Sequence, residues 1–234
     1  MQYPTFPKVF RALFIALACL ANQWAVAQVA PSAAEAAAYR GLHAAAWQGD
    51  TGKIDRLAAT KIDVNSRDPY GRTPLHVATF ARHGAAIRTL VRAGANLSAL
   101  ENDRYDVVTI AAVANDEESL RVLLSLGASA KLVTSRYDGT ALIAAAHLGH
   151  DGVVRQLIAA GAPLDHVNNL HWTAVIESIV LGNGGPRHQA TLKALVDAGA
   201  NLKLADRHGQ TPLALARTHG YREMAQMLEK AGAQ

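Results

Sequence analysis

The feature that most constrains the fold of this 234-residue chain is an internal repeat of about 33 residues. One apolar position recurs at intervals of 33, 33, 34, 33 and 38 residues, at Leu42, Leu75, Val108, Leu142, Val175 and Leu213. A glycine recurs at intervals of 33, 34, 38 and 33 residues, at Gly94, Gly127, Gly161, Gly199 and Gly232. Both series share one longer interval (38 against 33), which places the same insertion of five residues in each. A period of this length predicts a stack of identical supersecondary units.

The stretch 68–97 is the best-preserved copy and shows what one unit folds into. Residues 68–71 (DPYG) predict a tight turn, because proline fixes φ and glycine tolerates a positive φ. Thr73 followed by Pro74 predicts a helix N-cap and a first-turn proline that loses no needed donor. Two short segments with helical apolar spacing follow, and Gly94 predicts the end of the second helix. One such unit cannot bury its apolar face alone and needs copies on either side.

These units resemble ankyrin repeats. The signature T-P-L-H-x-A of that family stands here at 73–78 and is nearly kept at 211–216. The resemblance covers residues 37–234 and implies an all-α ankyrin-repeat solenoid of about six helix-turn-helix repeats with finger loops. The predicted repeats are about 37–67, 68–100, 101–133, 134–167, 168–204 and 205–234. In the fifth, the glycine-rich insertion 182–187 is predicted to loop out between the two helices.

The N-terminal segment 1–27 has the pattern of a signal peptide. A basic start is followed by an apolar run at 12–21 and an A-x-A site at 25–27. The run is about half the roughly 20 residues that a membrane span needs. We therefore expect cleavage after Ala27, export to the periplasm of a Gram-negative bacterium and no membrane anchor afterwards. Residues 28–36 are expected to form a short leader, either flexible or an added helical turn.

Export would leave a mature chain without cysteine, because Cys19 is the sole cysteine of the sequence. Stability must then come from packing, since no disulfide can form. Residues 1–27 hold two basic and no acidic residues, so the mature charge is 23 − 2 against 19, about +2. This small net positive charge does not predict a nucleic-acid partner, and the sequence contains no Lys/Arg run. The chain is expected to be a monomer.

The ten histidines invite a metal or catalytic interpretation, but the spacing favours neither. The resemblance implies that His43 and His76 hydrogen-bond between neighbouring loops, while His83 and His150 lie where second helices begin. No G-x-S-x-G elbow exists, and the insertion lacks the Lys-Ser/Thr of a phosphate loop. We expect no catalytic residues, no cofactor and no metal, and hence no enzyme. A histidine-based metal or small-ligand binder stays open as an alternative.

The resemblance implies that a partner protein contacts the concave face formed by first helices and finger loops. On the first helices we predict contacts from Trp47, Val77, Phe80, Ile110, Val113, His147, Leu148, Glu177 and Leu181. On the fingers and the insertion we predict contacts from Tyr70, Tyr105, Tyr137, Trp172 and Arg187. This set is mostly apolar with aromatic residues, as binding surfaces are.

Glu177 is the one carboxylate of that set. One hypothesis is a local hot spot of Glu177, Trp172 and the insertion 182–187. The alternative is that Glu177 pairs with a nearby Arg or His and the insertion is a tolerated surface loop.

The sequence thus predicts a non-catalytic scaffold that binds a periplasmic protein of unknown identity. By family analogy it would be an accessory or protective factor for that protein. The alternative is an inhibitor or immunity-type protein that occludes an enzyme.

Overall fold

The structure, a computed structural model, describes residues 29–234. The predicted signal peptide at 1–27 lies outside the described residues, and so does Gln28, the expected first residue after cleavage. In the described part, no helix is long and apolar enough to cross a membrane.

Six pairs of helices stack into two layers, which confirms the predicted ankyrin solenoid. A short helix, α1 (Ala33–Ala38), precedes the stack, and all helices are numbered in chain order. The first helices of the repeats are α2 (Gly41–Gln48), α4 (Pro74–Phe80), α6 (Val107–Val113), α8 (Ala141–His147), α10 (Ala174–Val180) and α12 (Pro212–Thr218). The second helices are α3 (Thr51–Ala58), α5 (Gly84–Arg92), α7 (Glu117–Ser125), α9 (Asp151–Ala159), α11 (Pro186–Asp197) and α13 (Arg222–Lys230). Each helix packs on its counterpart in the next repeat, so the core runs continuously between the layers.

A finger loop precedes each first helix from α4 onward. The finger before α8 contains the one sheet of the described residues, which pairs β1 (Val133–Thr134) with β2 (Gly139–Thr140). The strands are antiparallel, with Val133 opposite Thr140. The described part of the chain is therefore helical with one small hairpin.

Side-chain caps explain where the first helices begin. Thr73, Thr140, Thr173 and Thr211 each accept a hydrogen bond from the backbone N–H three residues on. Asp106 takes the same role before α6, as its position in the sequence predicts, with Oδ1 2.9 Å from the Thr109 nitrogen.

The predicted leader forms helix α1, which extends two residues beyond the expected boundary at 36. Ser32 and Glu35 explain this helix, because they make a reciprocal capping box at its start. An added helical turn is one of the two forms expected for the leader, and residues 33–38 are helical.

The insertion in repeat five loops out only in part. Helix α11 has 12 residues, whereas α9 and α13 have 9, because Pro186 and Arg187 form its first turn. The expectation that all of 182–187 lies in a loop is therefore wrong, since a proline at the first helical position needs no N–H partner. The remaining residues, 182–185, form a loop held to repeat six by a 2.9 Å hydrogen bond from the Tyr221 hydroxyl to the Gly182 carbonyl.

Candidate partner-binding surface

Partly exposed, mostly apolar residues lie in the last turn or at the C-cap of the first helices in repeats one to five. We call them the first-helix stripe: Trp47, Phe80, Val113, His147, Leu148, Val180 and Leu181. Leu148 and Leu181 are the most open, at 36% and 42% exposure. Because consecutive first helices pack side by side, these residues form one row across repeats one to five.

Three predicted contact residues do not reach this surface. Val77 and Ile110 are fully buried, and Glu177 is 4% exposed. They lie one turn earlier on their helices than the stripe, at a position that is buried in these three repeats. The expectation that they are exposed on the concave face is therefore wrong, because the sequence period does not say which helical turn faces solvent.

The aromatic residues of the fingers divide into two pairs. Tyr70 and Tyr137 occupy finger tips, and Tyr70 is 47% exposed. Tyr105 and Trp172 instead lie one residue before the helix caps, and both are partly buried. Trp172 packs against the hydrophobic core. The placement of Tyr105 and Trp172 at finger tips is thus a misassignment of register within the loop.

A side chain five residues before each helix cap shapes the fingers, a signal that the sequence analysis missed. In repeat two, Asp68 Oδ1 accepts hydrogen bonds from the backbone nitrogens of Tyr70 (2.9 Å) and Arg72 (2.8 Å). The equivalent side chains each accept the same pair of bonds, and they are Glu101, Ser135, Asn168 and Asp206. The recurring acceptor residue at this spacing could have been found from the sequence.

Neighbouring fingers are joined by backbone bonds. The Asn102 nitrogen donates to the Tyr70 carbonyl at 3.0 Å, and the Asn169 nitrogen donates to the Tyr137 carbonyl at 2.9 Å. Exposed ion pairs between Arg104 and Asp138 (3.1 Å) and between Arg136 and Asp103 (2.7 Å) join the intervening fingers, those of repeats three and four. The finger tips therefore form one connected row beside the stripe.

Helix α1 covers the start of that row. The buried guanidinium of Arg72 contacts Asp68 Oδ2 (2.7 Å) and Glu35 Oε1 (3.5 Å) and lies over the Tyr70 ring at 4.4 Å. Hydrogen bonds from Tyr70 and Ser32 lower the pKa of Glu35 to about 2. The leader is thus attached to the finger that carries Tyr70.

Most histidines of the repeats make hydrogen bonds with backbone carbonyls. His43 and His76 contact the carbonyls of Arg72 and Ala99, both at 3.0 Å, which confirms the bonds implied by the family resemblance. Burial lowers the pKa of His76 to about 4, so its ring is neutral at physiological pH.

The histidines at the start of the second helices reach back to the preceding repeat. Their contacts with carbonyls of first helices are His83 to Trp47 (3.1 Å), His150 to Ala112 (2.9 Å) and His188 to His147 (2.9 Å). Among residues 29–234, no group of three or more His, Cys, Asp or Glu side chains could hold a metal ion.

Glu177 lies between repeats four and five, beneath the stripe. Its Oε1 accepts a 2.9 Å hydrogen bond from Asn168 Nδ2, and its Oε2 is 3.6 Å from His147 Nδ1. Burial raises the pKa of Glu177 to about 7. Burial, and then the charges of His188 and His150, lower the pKa of His147.

This geometry favours the paired alternative for Glu177 over the predicted hot spot. Arg187 is exposed in the first turn of α11, whereas Glu177 is only 4% exposed. Trp172 packs on the core rather than beside an exposed acid. Glu177, Trp172 and the insertion 182–187 therefore do not form one exposed patch.

Comparison with known proteins agrees with this architecture. The family model for ankyrin repeats (three copies) matches residues 42–134, 108–202 and 142–234. The putative ankyrin repeat protein YahD of Escherichia coli (strain K12) is 34% identical over 190 residues, which cover 81% of this chain and 94% of that protein.

Two solved structures extend the comparison. An ankyrin repeat domain from Acinetobacter baumannii is 45% identical, with a TM-score of 0.78 over 82% of this chain and 98% of that one. A chain from the complex of a predatory endopeptidase with an immunity protein of Bdellovibrio bacteriovorus is 25% identical, with a TM-score of 0.68 and the same coverage of both chains. The recurring units, their helix pairs and these matches together show that the chain belongs to the ankyrin-repeat family.

Proposed function

We propose that this chain is a non-catalytic scaffold that binds a protein partner in the periplasm through the first-helix stripe and the finger row. Ankyrin repeats are interaction modules, and the family therefore supports protein binding in general. The observation that carries the proposal is the stripe itself, an apolar row whose most open members are two leucines.

The stripe is larger than a solvated face requires. Apolar side chains contribute to it from repeats one, two, three, four and five, and Tyr70 adds an exposed ring on the finger row. Single exposed apolar residues are normal on protein surfaces, whereas contiguous rows mark interaction sites. A partner that covers the row would bury the aromatic and leucine side chains on which interface energies usually depend.

The periplasmic setting rests on the sequence pattern of 1–27 and on an A-x-A site at 25–27. Sequencing the N-terminus of the protein recovered from a periplasmic fraction tests it. We expect Gln28 as the first residue, and a retained Met1 would contradict export by cleavage. Within this setting, an accessory or protective role for the partner is the family analogy that we adopt.

A second candidate function is an inhibitor of immunity type, which holds an enzyme inactive. It is supported by the similarity to a chain from a complex between an endopeptidase and an immunity protein. The two candidates differ in outcome, because a stoichiometric amount of the chain would abolish the activity of a captured enzyme under the second and preserve it under the first. For the third alternative, a histidine-based ligand binder, the carbonyl contacts of the ring nitrogens leave little support.

Capture from a periplasmic extract with matched variants tests the stripe. Leu181→Asp and Leu148→Asp place a charge in the stripe, and Ile62→Asp makes the same change at a residue that is 41% exposed in a loop of repeat one. We expect the wild type and Ile62→Asp to retain one discrete protein that both stripe variants lose. Equal retention by all four chains would contradict the proposal.

A further inference from the structure

Two polar side chains interrupt the apolar pattern at the junction of repeats four and five. Glu177 occupies a position that is apolar in the other repeats, where the residues are Ala44, Val77, Ile110, Ala144 and Leu215. His147 occupies a position without any other titratable group, where the residues are Trp47, Phe80, Val113, Val180 and Thr218. The two side chains face each other at 3.6 Å across α8 and α10.

The carboxylate of Glu177 has acceptor capacity that its neighbours do not fill. An ionised carboxylate offers about four lone-pair sites on two oxygens. Asn168 donates to Oε1, while Oε2 has the His147 ring nitrogen at a distance beyond a hydrogen bond. Within the part of the chain that the structure describes, no Lys or Arg nitrogen lies within 4.0 Å of this carboxylate.

Several charged or titratable groups of the surrounding elements are bonded to other partners, while Arg187, in the first turn of α11, is exposed and its charge acts on His150. On α11, His188 contacts the His147 carbonyl and Asn183, and at the start of α9, His150 contacts the Ala112 carbonyl. On α12, Arg217 pairs with Glu229 at 2.7 Å. Burial keeps the pKa of His147 low, and so its ring supplies little positive charge near neutral pH.

The surface beside this carboxylate fits an alkyl chain that ends in a cation. The His147 side chain is 29% exposed and lies 3.6 Å from the Glu177 carboxylate, whose side chain is 5% exposed. Leu148 follows His147 in the chain, and Leu181 lies one helical turn beyond Glu177 with its backbone nitrogen bonded to the Glu177 carbonyl. These two leucines are the most exposed residues of the stripe. Lysine and arginine bury their stems on such apolar surface and extend their charged ends.

We propose that Glu177 is a subsite for a basic side chain of the protein partner, which enters by displacing the His147 ring and lays its stem on Leu148 and Leu181. The inference rests on the proposed function, because both leucines belong to the stripe. A cation is the donor that a desolvated carboxylate binds most strongly. Where Glu177 is protonated in the free chain, the carboxyl proton passes to solvent when the cation binds.

A small cation tests the subsite without any partner. The carboxyl carbon resonance of Glu177 in ¹³C-glutamate-labelled protein, assigned by its loss in Glu177→Gln, is followed against pH with and without n-butylammonium chloride. We expect the cation to lower the pKa of Glu177 by about 1 at saturation, as a close opposite charge does. Sodium chloride at equal ionic strength and n-butanol at equal concentration are the controls. An unchanged titration, or an equal change with either control, would overturn the subsite.

Binding of the captured partner separates this inference from the proposed function. Glu177→Gln and Glu177→Leu are measured beside Leu181→Asp; leucine has a precedent at the equivalent Leu215, so that variant is expected to fold. We expect both Glu177 variants to weaken the partner's affinity about tenfold or more, because a buried charge pair loses one member. If affinity is lost in Leu181→Asp but unchanged in both Glu177 variants, the subsite proposal is contradicted and the proposed function is not. If affinity is unchanged in Leu181→Asp, the stripe as the binding surface is contradicted as well.

Discussion

The carboxylate of Glu177 and the imidazole of His147 lie 3.6 Å apart between the first helices of two neighbouring repeats, beneath an otherwise apolar surface. Burial raises the pKa of Glu177 from its ordinary 4.5 to about 7. Between pH 4.5 and about 7, Glu177 is therefore protonated in the folded chain and ionised in the unfolded chain. It follows that the free energy of unfolding falls as the pH rises from about 4.5 to 7. Above pH 7 the full cost of an ionised, buried Glu177 is present.

Replacing Glu177 by glutamine should remove this pH dependence. The amide keeps an acceptor for Asn168 and carries no charge at any pH. Since one pKa unit corresponds to about 1.4 kcal/mol, the variant should gain on the order of 3 kcal/mol of unfolding free energy at pH 8 and almost none at pH 4.5. Urea unfolding at both pH values measures this. Glu118→Gln, on the exposed side of α7, is the control and should change little at either pH. A gain of equal size at both pH values would contradict the buried charge as its cause.

A second buried carboxylate, Asp106, offers an independent test of the same physics. Its Oδ1 caps α6, but Oδ2 is buried without a hydrogen-bond partner, and burial raises its pKa. Threonine caps the equivalent helix at Thr73 and Thr140. Asp106→Thr should therefore stabilise the fold by about 1 kcal/mol at neutral pH, because an unsatisfied buried acceptor costs more than the charge gains from the helix dipole.

The stabilisation by Asp106→Thr should depend on pH. With a raised pKa, the folded state loses stability as the pH rises, so the benefit of threonine should be larger at pH 8 than at pH 4. Thermal unfolding of the wild type and the variant at pH 4 and pH 8 measures this difference. A destabilised variant at both would mean that the bond from the Thr109 hydroxyl to Asp106 Oδ1, 2.6 Å long, contributes more than the missing partner of Oδ2 costs.

The sequence predicts the architecture well because the repeat period reports backbone features directly. Capping residues and stop glycines act on local backbone geometry, and each appears in the structure where the repeat places it. Even Lys61, which replaces a stop glycine in repeat one, adopts a left-handed φ of 59°. The period therefore carries enough information for the order of the elements and for the caps of the first helices.

The site is harder to predict because exposure depends on packing between repeats. Val77 and Phe80 are three residues apart on one helix, yet the first is fully buried and the second partly exposed. Glu177 looks like a surface acid in the sequence, and the structure buries it to 4% exposure beside His147. Helical spacing gives the side of a helix, whereas the depth of a side chain is set by the neighbouring repeat.

Gly94 should be intolerant of side chains for a purely conformational reason. Its φ is +96°, and a Cβ there would meet no atom within 4 Å. Gly94→Val should therefore cost about 1–3 kcal/mol through backbone strain alone. Gly52, in α3 with no positive φ, is the matched control, and Gly52→Ala should stabilise by about 0.5–1 kcal/mol. Urea unfolding of both variants measures the contrast, and equal and small effects would show that the turn after α5 relaxes without cost.

Equivalent core truncations should differ between the middle and the end of this stack. Leu157 in α9 and Leu228 in α13 occupy the same helical position, and both are fully buried. Helix α9 packs on second helices from both neighbouring repeats, whereas the only second helix of the described residues that α13 packs on is α11. A cavity at Leu157 weakens coupling in two directions, so Leu157→Ala should cost about 3–5 kcal/mol and Leu228→Ala about 2–3 kcal/mol. Equilibrium unfolding in urea, with hydrogen exchange to locate the opened repeats, measures both. We expect exchange in Leu228→Ala to rise in repeat six before repeat four, because an end repeat can open alone. Equal costs with uniform exchange would instead indicate a single cooperative core in which position along the stack has no effect.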